Sequence, residues 1–211
     1  MKQIPLKANI ETQETFKTET LEPLVEQAQA GKIHLFFVDA AHFVMLPFLG
    51  YLYSRTVRFI KAASGRQRFS VLGALNAITK QVVTITDHGY INAVSVSKLL
   101  QKLHALFQNL PIVVIMDNAR YQRCALVEET ARHLGIQIIF LPPYSPNLNL
   151  IERLWKFVKK KALYNQYYSR YEQFHEAISI CLAQTDTTYK QVLDTLLVAK
   201  FQSFKNATIQ P

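Results

Sequence analysis

Hydrophobic residues fall into short runs broken by polar or turn-forming positions, a rhythm that predicts alternating strands and helices. Residues 20–30 (TLEPLVEQAQA) have helical spacing and stop at Gly31. Residues 33–38 (IHLFFV) form an apolar run ending on Asp39 and read as a buried strand. Residues 40–56 are mixed and aromatic, with Pro47 and Gly50, and read as loop or edge structure. Two further strands follow at 68–77 and 81–86, joined by a tight turn at Thr79 and Lys80. Val96, Leu99, Leu100, Leu103 and Leu106 place a helix over 94–107. Pro111 opens a second buried run, 112–116, which again ends on an aspartate, Asp117. Residues 122–134 read as a helix closed by Gly135, and 136–141 (IQIIFL) as a fifth strand. Pro142, Pro143 and Pro146 can continue neither element, so 142–146 is a rigid connection. A helix from Asn149 to about Leu163 comes next, then helices over 169–184 and 187–204.

Three strands in succession suggest an antiparallel meander, and the later alternation suggests parallel crossover units. The expected fold is α/β: a mixed five-stranded sheet, three antiparallel strands then two parallel, with helices on both faces. Residues 1–30 read as a helical extension, 31–165 as the main domain, and 166–211 as helices packed on it or appended to it. Composition then excludes several classes. At 49% hydrophobic and 18% charged, 211 residues make a foldable domain rather than a disordered basic tail. No apolar run approaches the roughly 18 residues needed to span a bilayer, and no signal peptide opens the chain. Cys124 and Cys181 lie far apart with no metal spacing, as in a reduced cytoplasmic protein.

Asp39 and Asp117 each end a buried run, which puts each at the carboxyl end of a strand, the edge where α/β sheets bind ligands. On neighbouring strands, two such carboxylates repel unless a cation neutralises them, and a hard divalent ion with oxygen ligands, Mg²⁺ first, is the natural solution. Either aspartate alone also reads as a turn residue. Glu152 has two readings. Asn149 and Glu152 fit a capping box. Equally, Glu152 heads a stripe with Lys156, Lys159 and Lys160, opposite apolar Leu150, Leu154, Phe157 and Val158, which suits a metal ligand beside a phosphate track.

The stretches VVIMDNARYQR (113–123) and LPPYSPNLNLIERLWKFVKK (141–160) resemble the DDE transposases of the mariner-like superfamily, in their bacterial insertion-sequence branch. The 34 residues between Asp117 and Glu152 match that family's spacing of its second and third acids, and FFVDAAHF (36–43) matches its first-acid strand. The resemblance covers about residues 30–165. It implies a ribonuclease-H-like fold, with Asp39, Asp117 and Glu152 as a catalytic and metal-binding triad holding two Mg²⁺ ions, for which Mn²⁺ substitutes. The implied chemistry is two-metal phosphoryl transfer: hydrolysis at an element's end, then transesterification into target DNA. Three positions depart from the family pattern: Ala40 follows the first acid, Gln122 stands where a His is common, and Leu150 where a Pro is common.

Charge sharpens this picture. The formal net charge is +9, but residues 51–80 alone carry six bases and no acid. Arg55, Arg58, Lys61, Arg66 and Arg68, interleaved with Tyr51, Tyr53 and Phe59, form one expected DNA-binding patch; Lys156, Lys159, Lys160 and Lys161 form another. Asn118 is a candidate for a metal water or phosphate and also reads as a turn residue. Asn149 reads as the helix cap. Tyr144 and Trp155 are candidates to stack on bases, with a core role equally open for Trp155. His42 reads as packed beside a strand end or as a contact to DNA. The expected partner is double-stranded DNA, bound by a homodimer without membrane attachment, in a bacterial, nucleoid-associated setting. Only about 30 residues precede the first acid strand, so a helix-turn-helix module is expected from another polypeptide or a frameshift fusion. The competing expectation is an inactive remnant that binds DNA without sequence preference.

Overall fold

A computed structural model of the chain describes residues 9–46, 55–57, 59 and 67–202. Its centre is one five-stranded sheet of β1 (His34–Val44), β2 (Arg68–Asn76), β3 (Val82–Asp87), β4 (Ile112–Met116) and β5 (Gln137–Phe140). The strand order is β3-β2-β1-β4-β5. β1, β2 and β3 pair antiparallel, while β4 runs parallel to β1 and β5 parallel to β4. That is the mixed sheet expected from the sequence.

Seven α-helices among the described residues surround it. α1 (Ile10–Phe16) and α2 (Glu22–Gln29) precede the sheet, joined by a π-helical turn at Lys17–Leu21. α3 (Ala93–Leu106) and α4 (Ala125–Leu134) are the crossovers, and α5 (Ile151–Val158), α6 (Tyr171–Ala183) and α7 (Lys190–Leu196) follow β5. None of the described helices is long and apolar enough to cross a membrane.

Period-two alternation along β1 builds two cores. Leu35, Phe37, Ala41 and Phe43 face one side, with Leu21 and Val25 before the sheet and Leu154, Trp155, Phe174, Ile178 and Leu193 after it. Phe36 and Val38 face the other, with Val96, Leu99, Leu100 and Leu103 of α3 and Val127 and Ala131 of α4. The elements on either side of 31–165 therefore share a core with the sheet.

Four elements differ from the sequence expectation by more than two residues. Residues 40–44 take the edge alternative and not the loop: beyond Asp39, β1 keeps its ladder with β2 alone, from Ala40 against Leu72 to Val44 against Arg68. Cross-strand pairing there overrides the mixed local composition. The helix expected from 122 begins at Ala125, because 120–124 form turns. The helix expected over 187–204 contracts to Lys190–Leu196. The helix expected from Asn149 begins at Ile151 and passes into a π-helical turn at Lys159–Leu163.

The expected capping box of Asn149 and Glu152 is absent. Leu150 occupies the N-cap of α5 and no side chain caps it. A 3-10 turn, Pro146–Leu148, runs directly into the helix, and the first amides bond to backbone: Glu152 N–H to Asn149 C=O and Arg153 N–H to Leu150 C=O. With the entry tightened by the main chain, Asn149 and Glu152 are free for other contacts.

Candidate active site

The register of the two central strands builds the site. Val38 of β1 lies opposite Met116 of β4, so the next residues on each strand are Asp39 and Asp117. Both occupy odd positions, continuing the face that carries Leu35, Phe37, Val113 and Ile115, which α5 covers. Glu152, in the first turn of α5, reaches the same place. Asp39, Asp117 and Glu152 line one cavity of about 440 Å³, with Asn118, Tyr144 and Asn149 among its walls and the proline-rich connection along one side.

The acids feel one another. Asp39 is pushed up to about 7, first by burial, then by repulsion from Glu152 and from Asp117. Ala40 N–H and Trp155 Nε1–H oppose this by hydrogen bonding to the carboxylate, the latter donating to Asp39 Oδ2 at 3.1 Å. Asp117 is raised by burial and steadied by Ala119 N–H, which donates to Oδ1 at 3.4 Å. Among the described residues, no lysine or arginine stands within ion-pair distance of any of the three. Three carboxylates without a cationic partner form a donor set suited to a hard divalent ion. They do not close on a point: among the described residues no three acidic, histidine or cysteine side chains are arranged to hold an ion as they stand.

The supporting residues divide. Asn149 is 4% exposed, and its Nδ2 donates to the Val38 carbonyl at 3.3 Å while its Oδ1 has no partner. It is thus a bracket to β1 rather than the expected cap. Asn118 is exposed and its Oδ1 accepts from Arg123 Nη1 at 3.4 Å. Tyr144 is 53% exposed, lies in the left-handed region at φ 57° and is part of the cavity wall. Trp155 is 2% exposed, which excludes base stacking. His42 points to the opposite sheet face, bonded to Ser70 Oγ at 2.8 Å.

Of the expected DNA contacts, Lys156 and Lys160 are exposed and Lys159 is half-buried beside them. Arg55 is exposed, and Arg68 opens β2 with its guanidinium over the Tyr90 ring, 4.6 Å from the centroid. Arg58, Lys61 and Arg66, with Tyr51 and Tyr53, lie outside the described residues.

Two groups near the site carried no signal in the sequence. Gln13 of α1, 4% exposed, donates from Nε2 to the Tyr144 carbonyl and accepts at Oε1 from Asn147 Nδ2, both at 3.1 Å. Asn147 also donates to Gln202 C=O at 3.1 Å, so segments from both ends of the described chain hold the proline-rich connection. Tyr121 is pushed up to about 12 by burial, with Asp117 and Asp39 adding to the shift, and Gln122 Nε2 donates to its hydroxyl at 3.3 Å. Gln122 itself is fully buried.

The sequence model described as "DDE superfamily endonuclease" matches residues 34–175. No curated protein matches in sequence. Among solved structures, the Mos1 strand transfer complex superposes with a TM-score of 0.63 at 18% identity, covering 93% of this chain and 62% of that one. The mariner Mos1 paired-end complex with Mg gives 0.60 at 17% identity over 93% and 62%. The catalytic domain of Mos1 mariner transposase gives 0.60 at 16% identity over 92% and 93%. The chain thus spans 62% of the Mos1 chain in the strand transfer complex and nearly the whole of the isolated catalytic domain. At these identities the superpositions establish a shared ribonuclease-H-like fold.

Proposed function

The chain belongs to the DDE superfamily endonucleases, and from that premise we propose that it is the catalytic domain of a DNA transposase in the bacterial insertion-sequence branch of the mariner-like superfamily. It would cleave one DNA strand at an element's end and join the resulting 3′-hydroxyl to target DNA. One observation carries the reading: Asp39, Asp117 and Glu152 converge on a single cavity where the β1–β4 ladder ends, with no cationic partner among the described residues.

In this reading the three carboxylates hold two divalent ions, Mg²⁺ or Mn²⁺. When bound, such ions supply a lowered pKa for the attacking hydroxyl and charge neutralisation at the leaving oxygen. The rest is positioning. β1 and β4, adjacent interior strands, fix two carboxylates side by side, and α5 brings the third across from a different element. Asn118 and Tyr144 form part of the wall against which a phosphate or sugar would lie. Lys156 on α5, which carries Glu152, and Lys159 and Lys160 on the π-helical turn that continues it would take backbone phosphates running away from the cut. In the first step a water oxygen attacks phosphorus and the bridging oxygen leaves as a 3′-hydroxyl. In the second that hydroxyl attacks a target phosphodiester and displaces its 3′-oxygen, so the number of phosphodiester bonds is conserved. A second protomer on DNA and a separate helix-turn-helix module belong to the same proposal.

The alternative is a remnant that binds DNA without chemistry, a reading favoured by the lack, among the described residues, of three acidic, histidine or cysteine side chains arranged to hold an ion as they stand. Incubation with a pre-cleaved terminal-repeat end, plasmid target and Mg²⁺ or Mn²⁺ separates the two. Joined product supports the transposase; metal-independent binding with no joined product supports the remnant.

A further inference from the structure

The sole tryptophan of the chain is spent at the site rather than on DNA. Trp155 lies one turn beyond Glu152 on α5, and its Nε1–H donates to Asp39 Oδ2 at 3.1 Å. Asp39 is paired across the sheet with Gly73 of β2. That glycine gives the indole its place: a Cβ at Gly73 would stand 2.6 Å from Trp155 Cη2 and 2.8 Å from Cζ2. On another side the Phe43 ring meets the indole edge-on, with centroids 6.3 Å apart at 81°. Boxed between a bare backbone and an aromatic ring, the indole cannot swing, and its N–H is aimed at one carboxylate oxygen.

We propose that Trp155 is a positioning residue for the metal-binding carboxylate of Asp39, holding Oδ2 so that Oδ1 is presented to the cavity. The proposal rests on the reading of Asp39, Asp117 and Glu152 as the metal site and goes beyond it. A carboxylate on a flexible torsion can offer a cation either oxygen; the N–H bond fixes that choice before the cation arrives. One helix then sets two of the three acids, Glu152 by carrying it and Asp39 by bonding it, so any shift of α5 on the sheet moves both. Gly73 becomes part of the same device, since only a residue without Cβ lets the indole lie over β2 at the level of Asp39.

Mn²⁺ binding to the whole chain, followed by calorimetry and by the electron paramagnetic resonance of free Mn²⁺, tests this without DNA or turnover. Trp155→Phe keeps a ring and loses the N–H. Replacement of Trp155 by 3-benzothienylalanine keeps the bicyclic shape and loses the N–H alone, so it remains informative if the phenylalanine variant folds poorly. Loss of a hydrogen bond to a ligand is expected to weaken Mn²⁺ binding roughly 10- to 100-fold, with the melting temperature of the benzothienyl variant held. Binding as tight as wild type in the benzothienyl variant overturns the proposal while leaving the metal site intact. If instead wild type binds no Mn²⁺, or Asp39→Asn does not weaken binding, the metal-site reading fails and takes the proposal with it. Tryptophan emission supplies an independent reading: Mg²⁺ should change it saturably, and Asp39→Asn should abolish that change. Emission that stays constant while Mg²⁺ binds counts against the contact.

Discussion

Two helices packed on opposite faces of the sheet, α3 and α5, each begin with an Asn three residues ahead of a polar side chain and use the pair differently. At α3, Asn92 Oδ1 accepts from Ser95 N–H at 3.1 Å and the Ser95 side chain answers the Asn92 amide, a closed capping box. At α5, Asn149 and Glu152 have the same spacing, yet neither caps. Asn149 turns to the Val38 carbonyl and Glu152 to the acidic cavity. On the α3 side of the sheet Val96, Leu99, Leu100 and Leu103 pack with Phe36 and Val38. On the α5 side like charges meet, a buried amide oxygen lacks a partner, and Asp39 is pushed up to about 7. Polar groups released from local duties and left with mutual repulsion mark the side on which a ligand's charge is expected.

That contrast can be broken in four ways. Asp39 has a folded pKa of about 7 against an ordinary 3.8, so folding takes up a proton between those values. Metal-free protein should therefore be least stable above pH 7 and gain stability as pH falls through 7 towards 4. Melting temperatures at pH 7.5 and 5.5 without metal should show this gain, and Asp39→Asn should reduce it to what the burial of Asp117 supplies; an undiminished gain in that variant would place its source elsewhere. Asn149→Ala strands the buried Val38 carbonyl and should cost roughly 1–3 kcal/mol in urea unfolding, with Mn²⁺ binding weakened as well. Asn92→Ala on the other side should cost about 1 kcal/mol and leave Mn²⁺ binding unchanged; equal effects of the two on metal would erase the distinction between the helices. Replacing Lys156, Lys159 and Lys160 by Gln should move stability by under about 0.5 kcal/mol. The same change should flatten the salt dependence of DNA binding by about one unit of slope for each phosphate no longer neutralised.

Much of the sheet was legible because its signals are local. Two apolar runs that each end on aspartate announce the two central strands, and the turn at Thr79 and Lys80 announces the β2–β3 hairpin, where Lys80 adopts φ 63° and Asn76 Oδ1 accepts from Ile78 and Thr79 amides. The convergence of Asp39, Asp117 and Glu152 followed from strand position and family spacing. What escaped depends on partners distant in the chain. β1 continues past Asp39 because β2 pairs with it, which residues 40–44 do not reveal. Trp155 meets Asp39 from 116 positions away through a gap left by Gly73. Gln13 meets Tyr144 from 131 positions away, with nothing in its helix to distinguish it. The capping-box signature misled for the opposite reason: a 3-10 turn had already satisfied the amides it would have served.

In the proposed function Asp39, Asp117 and Glu152 act together through divalent metal on DNA phosphodiesters. Its most direct test is single-turnover joining of a pre-cleaved terminal-repeat end across a Mg²⁺ titration, with Asp117→Asn beside the wild type. Joining that rises with Mg²⁺ in the wild type and falls by at least about 10³-fold in the variant is the expected result. Metal-dependent joining that survives the substitution at full rate would contradict it.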